Sequence, residues 1–75
     1  MYAPKEFAIL RLLVEAKGNV LSRDRILELI WGLDRGLDMD VRVVDQHVAR
    51  LRRKLGAEGA RILTVTNAGY RARMS

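Results

Sequence analysis

The hydrophobic residues at the start of the chain recur every three or four positions, which is the period of an α-helix. Pro4 suits the first helical position, and Gly18 is a suitable stop after Lys17. Glu6 stands three residues after Ala3, as in a capping box whose first residue is a poor N-cap. The predicted apolar stripe is Phe7, Leu10, Leu13 and Val14, widened by Ile9 and Leu12.

A second helix is predicted from Arg23 to Trp31. Ser22 is a good N-cap, Asp24 places an acid in the first turn, and Gly32 ends the helix. The predicted buried side consists of Ile26, Leu27, Ile30 and Trp31. The stretch "GLDRGLDMD" that begins at Gly32 is predicted to be a loop, and it is too long for the tight turn of a standard helix-turn-helix.

A third helix is predicted from Arg42 to Leu55, with Gly56 as its stop. At about 100° per residue, one row of this helix is apolar and consists of Val44, Val48, Leu51 and Leu55. The opposite face carries Arg42, Gln46, Ala49 and Arg53, with Arg50 beside them. His47 and Lys54 lie on one flank, and Asp45 and Arg52 lie on the other.

The tail of the chain has the pattern of a β-hairpin. "AEGA" is predicted to be a turn, "RILTV" a strand, "NAG" a short connection, and "YRARM" the returning strand. The fold class predicted from these elements is mainly α, with three helices and a C-terminal hairpin. The 75 residues are enough for one small domain.

Composition excludes several classes of function. The chain has no cysteine and one histidine, so neither a zinc-finger framework nor a Ser/His/Asp triad is expected. No paired acids suggest general acid–base chemistry, so we expect neither an enzyme nor a cofactor. No apolar run approaches the roughly 20 residues of a membrane span, and no secretory signal is visible. We therefore expect a cytoplasmic binding domain.

The net charge of +5 is concentrated in the second half of the chain. Residues 42–75 hold eight of the 14 cationic residues but two of the nine acids. Asp45 is the only acid from Val41 to Gly56, where a merely solvated helix face would intersperse acids among the arginines. Arginine can bind guanine, glutamine can bind adenine, and further cations can contact phosphates. The third helix is therefore predicted to enter the major groove of DNA.

The chain resembles the C-terminal effector domain of OmpR/PhoB-type response regulators, a winged helix-turn-helix. The matching stretches are "PKEFAILRLLVEAKGNVLSRDRILELIWG", "RVVDQHVARLRRKLG" and "ILTVTNAGYR". The resemblance implies transcription regulation in a two-component phosphorelay, with helix 42–55 in the major groove and hairpin 62–73 as the wing on the backbone or minor groove. It also implies contact with RNA polymerase through loop 32–41, and two copies on a direct repeat.

The resemblance carries a set of DNA contacts onto this chain. On the helix these are Arg42, Gln46, His47, Arg50, and Arg52 or Arg53. Around the wing they are Thr64, Tyr70 and Arg71, and Thr66 and Asn67 at the wing tip are further candidate contacts although they differ from the family pattern.

The chain also departs from the family pattern. The family's domain opens with a four-stranded sheet and follows a receiver domain, and neither is present in these 75 residues, so we expect residues 1–75 to be a fragment of a longer regulator. The family's wing commonly reads "VRGxGY", whereas this chain reads "VTNAGY". Asn67 can contact sugar or base edges but does not supply the charge of that arginine.

Some roles remain open at the level of sequence. His47 either contacts a phosphate or lies solvated on the flank of the helix. Tyr70 either donates its hydroxyl to a phosphate or only packs beneath the wing. We expect Trp31 and Phe7 in the core, and Asp45 paired with an arginine or placed to stabilise the helix N-terminus. The alternative function is a protein-interaction module that uses the same basic helix on an acidic partner.

Overall fold

The computed structural model of the chain describes residues 4–32 and 40–73. Its helices are α1 (Pro4–Glu15), α2 (Arg23–Trp31) and α3 (Arg42–Leu55). A 3₁₀ segment (Gly56–Arg61) follows where the sequence predicted a turn, and it leads into the strands β1 (Ile62–Val65) and β2 (Gly69–Ala72). The predicted order of three helices and a C-terminal hairpin is confirmed.

Three sequence predictions fall outside the described residues: the poor N-cap Ala3, the loop at 33–39, and Met74 at the end of the last strand. Within residues 4–32 and 40–73, no helix is long and apolar enough to cross a lipid bilayer.

α1 buries only part of the predicted set of side chains. Ile9 and Leu13 are fully buried, whereas Phe7 is 42% exposed and Val14 is 46% exposed. The expectation that Phe7 lies in the core is therefore wrong. Phe7 and Val14 lie about 140–160° around the helix from Ile9, and α2 and α3 pack against the Ile9 side.

α1 also ends earlier than predicted, at Glu15. A turn at residues 16–18 follows, in which Lys17 and Gly18 adopt positive φ angles of 52° and 87°. The backbone and side-chain nitrogens of Asn19 both donate to the carbonyl of Ala16. These bonds satisfy part of the helix end that would otherwise lack partners.

The segment between α1 and α2 joins the hairpin. The amide of Leu21 donates to the carbonyl of Tyr70 at 2.8 Å, and the amide of Tyr70 donates to Leu21 at 2.9 Å. Ser22 then caps α2, because its hydroxyl accepts the amide of Arg25 at 3.0 Å. The predicted N-cap is confirmed, and the hairpin is fixed to the start of α2.

α3 has no side-chain hydrogen bond from its N-cap residue, Val41. Asp40, one residue earlier, accepts the amide of Arg42 at 2.8 Å. The helix stops at Gly56, whose φ of 61° suits glycine. In the hairpin, Ile62 pairs with Ala72 and Val65 with Gly69, so the turn lies at residues 66–68.

The core lies where the three helices and the hairpin meet. Trp31 is 5% exposed, as predicted, and Val44, Val48 and Leu51 are fully buried. Leu55, the last residue of the predicted row, is partly buried against them. The remaining members of the core are Ile9, Leu13, Ile26, Leu27, Ile62, Tyr70 and Ala72.

An ion pair links α1 to the last turn of α3. The ammonium of Lys54 lies 2.6 Å from Glu6 Oε1. The Glu6 side chain is 4% exposed, whereas that of Lys54 is 48% exposed. Oε1 accepts no aligned hydrogen bond among the described residues, so the attraction is ionic. This contact fixes the C-terminal end of α3 against α1.

Candidate nucleic-acid interface

The outward face of α3 is built from the residues that the sequence predicts for it. Arg42, Gln46, Ala49, Arg50 and Arg53 are all exposed, and the side chain of Arg42 is 84% exposed. Because the opposite row fills the core, the orientation of these side chains is fixed by packing. The face forms a convex row of cations with one amide and one small residue.

Most of this outward face is available to a ligand. Within residues 4–32 and 40–73, Gln46, Arg50 and Arg53 make no side-chain hydrogen bond or ion pair. Arg42 Nε lies 3.7 Å from Asp40 Oδ2, in a solvent-exposed pair that contributes little energy. These four side chains can therefore contact an anionic partner without breaking a strong internal interaction.

His47 is held by its own helix. Its Nδ1 lies 2.8 Å from the carbonyl of Val43, and its ring meets Trp31 edge to face at 5.0 Å between centroids. The ring is partly buried, and the Nδ1–H form donates to that carbonyl, which leaves Nε2 for a ligand. The second role that the sequence left open, a freely solvated histidine, does not fit this ring.

Arg52 points toward the hairpin. Its Nε and Nη2 donate to the carbonyl of Ile62 at 3.1 and 2.7 Å, and Nη2 also donates to Thr64 Oγ1 at 2.9 Å. Its guanidinium carbon lies 5.7 Å from the centroid of the Tyr70 ring. Arg52 and Thr64, both predicted as DNA contacts, thus bind each other at the surface of the protein.

Tyr70 both packs beneath the hairpin and donates its hydroxyl, but the acceptor is a protein carboxylate and not a phosphate. The residue is 6% exposed, and its hydroxyl donates to Asp45 Oδ1 at 2.5 Å. Burial, followed by the hydrogen bond to Asp45 and its negative charge, raises the pKa of Tyr70 from 10.0 to about 12. The hydroxyl therefore keeps its proton at neutral pH and is bound to a carboxylate.

Asp45 also pairs with an arginine, as the sequence predicts. Arg23 Nη1 donates to Asp45 Oδ2 at 2.9 Å, so one carboxylate contacts α2 on one side and the hairpin on the other. Sequence reasoning did not find the Tyr70 partner. The sequence feature that could have indicated such a partner is the presence of one acid in an otherwise basic helix.

Arg71 contacts the turn that follows α1. Its Nε donates to the carbonyl of Gly18 at 3.0 Å. A cation near the carbonyls that follow a helix is favourable. This bond holds β2 against the turn that follows α1, and the terminal nitrogens of Arg71 make no hydrogen bond within the described residues.

The tip of the hairpin is exposed. Thr66 and Asn67 are exposed, and Asn67 has a φ of 63°. The amide of Ala68 donates to Val65 at 2.9 Å and closes the turn. An open groove of about 470 Å³ lies between this tip and the N-terminal ends of α2 and α3. Arg23, Asp45 and Tyr70 line it, together with Thr66 and Asn67.

Residues 2–72 match the family described as "Transcriptional regulatory protein, C terminal". The chain belongs to this family. Transcriptional regulatory protein CseB of Streptomyces coelicolor is 48% identical over 68 residues, covering 91% of this chain. Transcriptional regulatory protein PrrA of Mycobacterium leprae is 47% identical over 72 residues, covering 93% of this chain. The chain spans 27% of the length of the first relative and 30% of the second.

A solved structure has a similar fold. It is the DNA-binding domain of the response regulator AdeR, in complex with an intercistronic region. The TM-score is 0.76 at 26% identity, and the match covers 95% of this chain and 73% of that chain. The winged-helix fold implied by the sequence resemblance is therefore confirmed.

Proposed function

We propose that this chain binds double-stranded DNA in a sequence-specific manner and acts as the effector domain of a two-component response regulator that controls transcription. The observation that carries the proposal is the contrast across α3. Five exposed residues, four of them long polar or cationic, oppose a row of fully buried aliphatic residues. Membership of the regulatory family and the fold shared with a DNA-bound domain support the same conclusion.

In this proposal α3 lies in the major groove. Arg42, Gln46 and Arg50 contact base edges, where arginine suits guanine and glutamine suits adenine. Arg53 contacts a phosphate, and so does His47 in its doubly protonated form, in which Nε2–H donates to the phosphate while Nδ1–H donates to Val43. Ala49 lets the helix approach the groove closely.

The hairpin contacts the adjacent backbone or minor groove through its exposed tip. Thr66 and Asn67 are the contacting residues, and the terminal nitrogens of Arg71 serve a phosphate. Arg52, Thr64 and Tyr70 support the interface from within, because their polar groups are already bound to other parts of the protein.

The experiment that tests this function is selection from a pool of random duplexes at several salt concentrations, followed by sequencing of the bound fraction. An enriched repeated half-site with a steep salt dependence supports sequence-specific binding by two copies. Steep salt dependence without enrichment contradicts specificity and leaves general affinity for polyanions. If the chain fails to bind at low salt, DNA binding is excluded and an acidic protein becomes the partner to seek.

Two further partners implied by the resemblance belong to the same proposal: RNA polymerase, and a second copy of the chain on a direct-repeat site. RNA polymerase contacts the loop at 32–41, most of which lies outside the described residues. Replacing residues 33–39 with a glycine–serine linker of equal length keeps Gly32 at the end of α2 and Asp40 at the start of α3, and it should reduce promoter activation while leaving operator affinity unchanged. A loss of operator affinity would contradict this division of roles. A cytoplasmic location also belongs to this proposal, because the DNA that the chain would bind lies there.

A further inference from the structure

The hairpin needs support from the rest of the molecule, because two strands alone are only marginally stable in water. Its backbone joins the start of α2 through the pairing of Leu21 with Tyr70. Among the described residues, its hydrogen bonds to α3 come from two α3 side chains, Asp45 and Arg52. These two side chains therefore fix the angle between the wing and the recognition helix.

Asp45 holds three elements together. It lies in the first turn of α3, accepts from Arg23 in the first turn of α2, and accepts from Tyr70 on β2. Its side chain is 36% exposed and lines the groove between the hairpin tip and the N-terminal ends of α2 and α3. A carboxylate near DNA phosphates would repel them, and here the pairing with Arg23 offsets part of that charge.

We propose that Asp45 is a positioning residue that determines DNA sequence preference without touching DNA. Its hydrogen bonds with Arg23 and Tyr70, which we call the lock, hold α2 and the hairpin against α3. The helix α3 and the hairpin therefore meet the duplex in one fixed geometry. A preformed geometry reduces the entropy that the protein loses when it binds DNA. This advantage is greatest for a DNA sequence that α3 and the hairpin can both contact at once. The inference rests on the proposed function.

The direction in which DNA affinity changes distinguishes this positioning role from a purely electrostatic effect of the Asp45 charge. Removing an acid near a polyanion should tighten binding to every duplex. Loss of the lock should instead weaken binding to the selected operator and leave binding to a scrambled duplex unchanged or tighter. Asp45→Ala is the test, and Asp24→Ala is the matched control, because Asp24 is also a first-turn acid that lines the same groove.

We expect Asp45→Ala to weaken operator binding roughly fivefold to thirtyfold. Asp24→Ala should change both duplexes equally. Tyr70→Phe removes one hydroxyl and should lower operator affinity in the same direction, with an unchanged salt slope. The double variant should bind no more weakly than Asp45→Ala alone, because both changes break one lock. Equal tightening on both duplexes by Asp45→Ala would overturn the proposal.

Tyr70→Phe also tests the competing role. If the hydroxyl contacts a phosphate directly, the variant weakens binding to both duplexes alike, and the salt slope stays unchanged because a neutral hydroxyl neutralises no phosphate. That result would overturn the proposal as well. Because Tyr70→Phe keeps the buried ring, it carries the test even if Asp45→Ala folds poorly.

A measurement without DNA separates failure of the lock from failure of the proposed function. In a Tyr2→Phe background Tyr70 is the only tyrosine, so its titration can be followed by ultraviolet absorbance. The pKa of Tyr70 should lie near 12 and should fall on Asp45→Ala, although burial, its largest cause, keeps it above 10.0. Arg23 and Arg52 face the same hydroxyl and lower its pKa, so they remain unchanged in this comparison.

An unchanged titration would show that the lock is absent and would overturn the inference, whatever the DNA result. A normal shift in a wild-type chain that binds no preferred sequence would show instead that the proposed function has failed. In that case the lock holds the fold together, and its proposed role in DNA specificity is overturned.

Discussion

At the scale of single residues, α3 contains four arginines whose surroundings differ. Arg42, Arg50 and Arg53 point away from the core, whereas Arg52 reaches the carbonyl of Ile62 and the hydroxyl of Thr64. A guanidinium with three internal hydrogen bonds is not free to follow a phosphate or a base. The position of each arginine around the helix, together with the acceptors nearby, decides its role.

Arg50→Ala tests base reading by one of the outward arginines. If Arg50 contacts a guanine, the variant should lose about 1–3 kcal/mol on the operator and accept other bases at one position. Competition binding against single-base operator variants measures this. Arg53→Ala is the comparison, and it should weaken all duplexes alike. Uniform weakening by Arg50→Ala would show a phosphate contact instead.

Gly69 is needed because the backbone of Leu21 passes very close to it. A Cβ on Gly69 would lie 2.0 Å from the Leu21 carbonyl oxygen, and its φ is 143°. Gly56 has a φ of 61° but open space around it, so it provides a control for backbone strain alone. Gly56→Ala should cost about 1–3 kcal/mol of unfolding free energy. Gly69→Ala should cost more, as measured by urea unfolding, and equal costs would contradict the close approach.

At the scale of elements, α1 and α3 are joined through a buried acid. Glu6 occupies the buried line of α1 with Ile9 and Leu13, and Lys54 supplies its counter-charge from the last turn of α3. Burying a carboxylate is unfavourable unless it is paired. The pair therefore specifies how the C-terminal end of α3 sits on α1, and hence which α3 residues point outward.

Lys54→Met tests this link by removing the charge while keeping an aliphatic stem. It should reduce the free energy of unfolding by about 1–3 kcal/mol, because Glu6 loses its partner. Glu6→Gln combined with Lys54→Met should recover part of that loss. Arg11→Met is the control, since the Arg11–Glu15 pair is exposed and should contribute under about 1 kcal/mol. If both single variants have equal stability in urea, the buried pair is not a strong link.

At the scale of the whole molecule, charge is distributed unevenly. The net charge is +5, and the outward face of α3 carries three arginines and no acid. The acids that lie near cations are largely paired with them, as in the exposed pairs Arg25–Glu28 and Arg61–Glu58. Unpaired positive charge is therefore present on the outward face of α3, where Arg50 and Arg53 have no acidic partner among the described residues.

This distribution predicts a specific salt dependence of DNA binding. The logarithm of the binding constant should fall with the logarithm of salt concentration by about 0.9 for each phosphate neutralised. Arg53→Gln should lower that slope by about 0.9, whereas Arg11→Gln should not change it, because α1 packs against the buried side of α3. Fluorescence anisotropy with one duplex at several salt concentrations measures both slopes. Equal slopes for wild type and Arg53→Gln would exclude Arg53 as a phosphate contact.

The sequence by itself determined the elements and the two faces of α3. Capping by Ser22, the stops at Gly32 and Gly56, and the spacing of Val44, Val48 and Leu51 are local features, so they can be deduced from neighbouring residues. The same spacing placed Gln46, Arg50 and Arg53 on the exposed face.

Only the tertiary structure decided which polar side chains remain free. Arg52 finds its acceptors at Ile62 and Thr64, and Arg71 finds Gly18, 53 residues earlier in the chain. Tyr70 likewise finds Asp45 across 25 residues. The exposure of Phe7 was also decided by packing, since α2 and α3 meet α1 on its other side. Long-range hydrogen bonds and packing faces depend on where distant backbone comes to lie, and no local periodicity encodes that position.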